Sequence, residues 1–283
     1  MIPQNFEYSS PRSLEAALDQ LAGGPDGSAD GSTKILAGGM SLIPLMKLRL
    51  AAPERLVDLR RVPGLNYIRE ESGVLHIGAM TTHYEVESSA LVRAKCPLLA
   101  EAAANIGDVQ VRNVGTIGGS VAHADPAADY PASLLALEAS VTLVSKAGER
   151  TMSVEDFLVD TMTTALEPGE IVREVTVPLE KSGAGTAYAK MVQPASGFAI
   201  VGVAARIGEG FARIGVTGLA SKAYRARNVE ALLEGGADAA TAAAVIAEGV
   251  DANSDLHASA DYRRHVATVY AARAIRQAIS RKY

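Results

Sequence analysis

Two glycine pairs place the tightest constraint on this chain: Ala37-Gly38-Gly39-Met40-Ser41 and Thr116-Ile117-Gly118-Gly119-Ser120. Glycine admits positive φ and the close approach of another backbone or a ligand, and successive amide N–H groups in such a bend can converge on an anion. Each pair is followed by a hydroxyl side chain that can add a donor. At the first pair, Lys34-Ile35-Leu36-Ala37 reads as a short buried strand and residues 41–50 as a helix. The order is strand, glycine turn, helix, and the N-terminus of that helix would favour a phosphate. A diphosphate needs donors on two sides, so two such loops suit it better than one. The alternative is that both are tight turns without a ligand. No G-x-G-x-x-G follows a strand and no G-x-x-x-x-G-K-[ST] occurs, so a nicotinamide-type dinucleotide site and a P-loop have no support.

The 283 residues allow one large domain or two ordinary ones, and 48 % apolar with 21 % charged residues supplies a sizeable core. A formal charge of −5 argues against a sequence-independent grip on nucleic acid or anionic membrane. The single cysteine, Cys96, can neither pair within the chain nor hold an iron–sulfur cluster alone. It precedes Pro97 in an apolar run and reads as core. The opening residues show no secretory pattern, and no apolar run reaches the ~20 residues of a membrane span, so a soluble cytoplasmic protein is expected.

Along the chain, helical spacing marks residues 13–21, a Gly/Asp/Ser-rich loop follows at 23–32, and short strands are expected at 56–59, 67–68 and 74–77. Thr82 with Glu85 fits a capping box ahead of a helix through 91–105 that would contain Pro97. Further elements are expected as a helix at 133–138, strands at 141–144 and 170–177, and a short helix capped by Ser153. Residues 181–185 read as a linker. Beyond it come strands at 187–192, 199–207 and 211–219, a hairpin at Glu209-Gly210, and helices at 229–233, 239–248 and 261–279. The segment His123-Ala124-Asp125-Pro126-Ala127-Ala128-Asp129 lacks companion ligands for a metal and reads as a rigid loop whose carboxylates accept ligand hydroxyls or cap the following helix. No nucleophile elbow is present. The residues alone thus lead to a two-domain α+β protein with a phosphate-bearing cofactor and no catalytic acid, base or nucleophile.

The segments AGGMSLIPLMKLR, RNVGTIGGSVAHADPAADYPA and TALEPGEIVREVTVP resemble the flavin-binding medium subunit of carbon monoxide dehydrogenase and other molybdenum hydroxylases of the xanthine dehydrogenase type. The match runs nearly end to end. It implies a two-part FAD-binding domain at 1–178, with subdomains of about 1–54 and 55–178, followed by a smaller C-terminal domain of antiparallel strands and helices at 183–283. It further implies that Lys34, Ile35, Leu36, Ala37, Gly38, Gly39, Met40, Ser41 and Leu42, with Thr116, Ile117, Gly118, Gly119 and Ser120, wrap the FAD diphosphate. Ile106 would line the cofactor, Asp129 would accept from it with Asp125 assisting, and Val172 and Lys190 would complete the cleft. Gly118 would be a point of close ligand approach. Lys190 could stabilise charge on reduced flavin, its alternative being a solvated strand lysine.

Two departures from the family pattern stand out. Met40 occupies a position where a polar residue such as Gln is common, and the basic residues and aspartate frequent in the loop at 193–199 are replaced by Gln, Ser and Gly. The activity implied is electron relay. Substrate would be hydroxylated at a molybdenum cofactor on a large partner subunit, and electrons would pass through [2Fe-2S] clusters on a small partner subunit to FAD on this chain and then to a terminal acceptor. A dimer of heterotrimers is the implied assembly. A stand-alone flavin oxidoreductase and a non-catalytic assembly module that has lost flavin are the competing readings.

Overall fold

The computed structural model describes residues 2–22, 32–179 and 183–282. Of the loop read at 23–32 only Ser32 is among these, and residues 181 and 182 of the linker reading lie outside them.

A three-stranded parallel sheet comes first, with Arg55–Asp58 between Glu7–Ser9 and Thr33–Leu36. Parallel neighbours need a crossover, and the chain from Thr33–Leu36 to Arg55–Asp58 makes it through helix Leu42–Lys47. Helix Leu14–Leu21 starts where Ser13 Oγ accepts from Ala16 N at 3.1 Å, and it buries Ala17, Leu18 and Leu21 in one cluster with Val57. The central strand lies beyond residue 54, so the subdomain boundary expected there falls inside this sheet.

The second sheet is five-stranded and antiparallel, in the order Ile68–Glu71, Val74–Gly78, Ile171–Pro178, Ser140–Ser145, Gly148–Ser153. Between Val74–Gly78 and Ser140–Ser145 the chain runs through six helices: His83–Ser88, Ala90–Lys95, Pro97–Ala104, Val109–Val114, Ile117–His123 and Asp129–Ala136. The capping box forms: Thr82 N donates to Glu85 Oε2 at 2.8 Å and Glu85 N to Thr82 Oγ1 at 3.2 Å. The continuous helix expected over 91–105 is instead two, because Pro97 occupies the first position of Pro97–Ala104, where a missing N–H is harmless. Cys96 is buried at their junction, as a core residue.

The third sheet is antiparallel, in the order Gly185–Val192, Ala199–Gly208, Phe211–Thr217, Tyr224–Arg225. Its hairpin turns at Gly210, with φ of 73°. Helix Ala260–Ser280 packs along its first two strands, while Phe211–Thr217 meets helix Asp129–Ala136. That second contact requires Gly215, since a Cβ there would overlap the Ala132 carbonyl oxygen. Tyr188 and Ala204 thereby enter the core built by the five-stranded sheet and its helices. The class is α+β, as expected. Among the described residues no helix is long and apolar enough to cross a membrane.

Candidate functional site

The two glycine loops touch. A Cβ on Gly38 would overlap the Val114 carbonyl oxygen and lie 2.7 Å from Gly115 Cα, and one on Gly119 would lie 3.4 Å from Ala37 Cβ. Gly39 turns the first loop with φ of 75°, a conformation that β-carbon sterics disfavour. The amides of the loops are used differently. Among the described residues, the N–H groups of Gly38, Gly39, Met40, Ser41 and Leu42 have no acceptor within the protein. This run of free donors leads into helix Leu42–Lys47, whose flanking Ser41 makes no side-chain cap. An anion fits such a row, because successive N–H groups without a protein acceptor can converge on it.

The second pair is neither an open donor loop nor the tight turn of the alternative reading. Gly118 and Gly119 lie in helix Ile117–His123, capped by Thr116, whose Oγ1 accepts from Gly119 N at 3.1 Å. Ile117 N donates to Thr81 O at 3.0 Å, Gly118 N to Ala79 O at 2.9 Å and Ser120 N to Thr116 O at 3.0 Å. These four amides are satisfied internally, so the expectation of two equivalent donor loops is corrected. What the second loop offers is the Thr116 amide, which has no acceptor among the described residues, and the Ser120 hydroxyl. Gly118 is small for a protein neighbour and not for a ligand: its Cβ would lie 2.7 Å from Ala79 O and overlap the Ala79 side chain. Of the remaining residues in the first segment, Lys34 and Met40 are exposed. Ile35 packs against one hydrophobic cluster, and Leu36 and Leu42 belong to another with Met46 and Leu56.

The segment at 123–129 is a docking loop. Asp125 Oδ1 accepts from Ala127 N at 2.8 Å, closing a turn. Thr217 Oγ1 lies 2.7 Å from Pro126 O and 2.8 Å from Ala128 O, Gly218 N donates to Pro126 O at 2.7 Å, and Ala199 N donates to Ala127 O at 3.1 Å. Asp129 begins helix Asp129–Ala136 and does not cap it; the capping position is Ala128, which makes no side-chain bond. Its carboxylate is buried against two residues of strand Gly185–Val192. Tyr188 Oη donates to Oδ1 at 2.6 Å, and Lys190 Nζ lies 2.8 Å from Oδ1 and 2.9 Å from Oδ2. Lys190 Nζ also donates to Asn105 O at 2.8 Å. With side chains only 2 % and 4 % exposed, Lys190 and Asp129 form a buried ion pair, which excludes the solvated-lysine alternative. Burial pushes the Asp129 carboxyl up to about 6, while Lys190 and Tyr188 act against that rise.

Ile106, next to Asn105, packs at the edge of the main core, and the Gln193–Phe198 turn reaches the same edge: a Cβ on Gly197 would lie 3.1 Å from Gly107 Cα. Phe198 is exposed. Val172 is buried in the cluster that contains Ile117 and Val121, so it is a core residue behind the second loop. Among the described residues no group of three metal-ligating side chains occurs.

Three contributors escape a reading of the sequence. Tyr188 shares a strand face with Lys190, two residues on, which is the signal that could have exposed it. Thr217 docks the 123–129 loop from 89 residues away, with no local mark. His83 is 4 % exposed, edge-on to Tyr130 with ring centroids 5.3 Å apart, and its Nδ1 has no partner. Burial and the nearby Arg112 lower its pKa to about 4, so the ring is neutral. A Cβ on Gly115 would lie 2.6 Å from His83 Nε2. His83, the 115 backbone and Gly38 are therefore stacked in that order under the loop contact.

Residues 4–180 match the family described as the FAD binding domain in molybdopterin dehydrogenase, and residues 186–278 the CO dehydrogenase flavoprotein C-terminal domain. The carbon monoxide dehydrogenase medium chain of Hydrogenophaga pseudoflava is 45 % identical over 204 residues, covering 72 % of this chain and 69 % of that one. The glyceraldehyde dehydrogenase medium chain of Sulfolobus acidocaldarius is 40 % identical over 207 residues, 73 % of this chain and 71 % of its own. A solved carbon monoxide dehydrogenase from Hydrogenophaga pseudoflava superposes with a TM-score of 0.93 at 40 % identity over all of both chains. Quinoline 2-oxidoreductase from Pseudomonas putida 86 does so with 0.89 at 34 % identity, over 99 % of each. The free amide row and its apposed second loop thus occur in a fold and sequence shared with these enzymes, and the chain belongs to the FAD-binding medium subunits of the molybdenum hydroxylases, an oxidoreductase family.

Proposed function

We propose that this chain relays electrons from the [2Fe-2S] clusters of a small partner subunit, through its own FAD, to a terminal acceptor, with a large molybdenum-cofactor subunit completing a dimer of heterotrimers. The observation that carries the cofactor site is the run of unpartnered amides at 38–42, which Gly38 seats against the backbone of Val114 and Gly115, next to Thr116 in sequence. FAD, when bound, supplies the ability to take electrons singly and to release them singly or in pairs, while the protein supplies binding and electrostatics. The amides of Gly38, Gly39, Met40, Ser41 and Leu42 would hold the diphosphate from one side and the Thr116 amide and Ser120 hydroxyl from the other. Ile106, Asp129 and Lys190 would form the cleft beyond it, and Asp125 would act by shaping its own turn. For this purpose the chain divides into a part at 1–178 that holds the diphosphate and a part at 183–283 that delivers Lys190.

Carbon monoxide, glyceraldehyde and caffeine appear in the names of relatives 45 %, 40 % and 34 % identical, and this spread supports the reading that substrate choice lies on another subunit. A reducing intracellular location is proposed with it. The test is the visible spectrum of the purified chain after incubation with FAD, followed by mixing with a reduced [2Fe-2S] partner subunit. Flavin bands that bleach on mixing are expected. A colourless chain that takes up no FAD would favour an assembly module, and bound flavin that the partner cannot reduce would favour a stand-alone oxidoreductase.

A further inference from the structure

We propose that Tyr188 is a positioning residue for the flavin site, its hydroxyl holding the Asp129 carboxylate ionised and oriented toward Lys190 so that cofactor affinity follows the protonation of that carboxylate. The proposal rests on the reading of Asp129 as a group facing FAD, and it assigns the control of that group to the C-terminal part of the chain.

The geometry is specific. Tyr188 and Lys190 are alternate residues on one face of strand Gly185–Val192, and both reach the same carboxylate, Tyr188 Oη at 2.6 Å and Lys190 Nζ at 2.8 Å. The Tyr188 hydroxyl has room only because residue 202, on the next strand, is glycine: a Cβ there would overlap the hydroxyl oxygen. The backbone of Tyr188 is pinned as well, its N–H donating to Glu101 Oε2 at 3.0 Å. A carboxylate this deeply buried pays for ionisation in lost hydration, and a hydroxyl donor favours the charged form directly. Removing the donor raises the proton affinity of Asp129 and converts an ion pair into a neutral acid beside an ammonium at a higher pH.

Among the described residues, the charged and titratable groups nearest Asp129 come from three elements. Strand Gly185–Val192 contributes Lys190 and Tyr188, helix Pro97–Ala104 contributes Glu101, which is paired with Arg281, and the Asp129–Ala136 helix contributes Tyr130. Behind Tyr130 lie neutral His83 and the Glu87–Arg112 pair at 2.8 Å. Among these, Asp129 has its transition raised into the range near pH 6, whereas burial pushes both tyrosines well above their ordinary range and His83 titrates near pH 4.

The test is FAD affinity of the purified full-length chain by flavin fluorescence, from pH 5 to pH 8, for the wild type, Tyr188→Phe and Asp129→Asn. The wild type is expected to weaken below an inflection near pH 6. Tyr188→Phe keeps the ring and is expected to move that inflection upward by roughly one pH unit, with affinity at pH 8 within about threefold of wild type. Asp129→Asn is expected to remove the inflection. A purely packing role for Tyr188 predicts an unmoved inflection or an equal change at every pH, and either result overturns the proposal. A pH-independent wild type also overturns it while leaving the flavoprotein reading intact. Absence of FAD binding at every pH overturns both.

Discussion

Gly38 is packed against the carbonyl of Val114 with no space for even one added methyl group, so the loop that offers a row of free amides is seated directly on the backbone of the loop whose amides are mostly committed. The site is therefore asymmetric. One loop supplies a row of donors, and the other supplies a rigid seat in which the amides of residues 117–120 are committed and only the Thr116 amide and the Ser120 hydroxyl are left to donate.

Gly38→Ala forces the two loops apart at that contact. We expect FAD affinity to fall at least tenfold and stability to drop by about 1–3 kcal/mol, the cost of overpacking a close backbone contact. Equilibrium dialysis with FAD and urea unfolding measure the two effects. Unchanged affinity would show that the spacing of the loops does not matter to the cofactor.

Lys190→Met leaves the Asp129 carboxylate buried without its counter-charge. At pH 7 we expect a loss of about 3–5 kcal/mol in unfolding free energy, and partial recovery in the double variant Lys190→Met with Asp129→Asn, because a broken buried pair costs more than an absent one. Denaturant titrations of the two single variants and the double variant close the cycle. Additive losses would contradict the pairing.

His83 titrates near pH 4 in the folded chain against an ordinary value of 6.5. The unfolded chain therefore binds the proton more readily, and stability falls as pH falls from about 6.5 toward 4. Between pH 6.5 and pH 5 the contribution lost is roughly 2 kcal/mol. We expect His83→Phe, which keeps an aromatic edge against Tyr130, to flatten that part of the curve. Urea midpoints of both proteins at pH 5 and pH 7 decide the matter, and parallel slopes would rule His83 out.

Met40 is 39 % exposed and its amide is one of the free donors. Met40→Gln adds a side-chain donor beside that row without disturbing any buried contact. FAD affinity is expected to rise about threefold to tenfold, the range of one added hydrogen bond, with the thermal midpoint of the apoprotein unchanged. Fluorescence titration and calorimetry test this.

Much of the local architecture is legible in the chain because its causes are local. The Thr33–Leu36 strand, the Gly39 turn and helix Leu42–Lys47 follow from adjacent residues, as do the Thr82–Glu85 capping box and the Gly210 hairpin. The helix around Gly118-Gly119 is illegible for the opposite reason. Two glycines give that heptad poor intrinsic propensity, and the helix forms because Ala79, Thr81 and Thr116 receive its first amides. Gly118 is conspicuous in the sequence as a ligand contact, yet the neighbour that requires its smallness is Ala79. Lys190 shows the same limit at longer range. Nothing within its own strand reveals that a carboxylate 61 positions earlier will neutralise it.

The position of Lys190 constrains how such a polypeptide can be divided. A break in the chain anywhere between residues 130 and 189 would put the acid and the base on different polypeptides. The pair therefore ties helix Asp129–Ala136 to strand Gly185–Val192, and each segment carries a charge that the other balances.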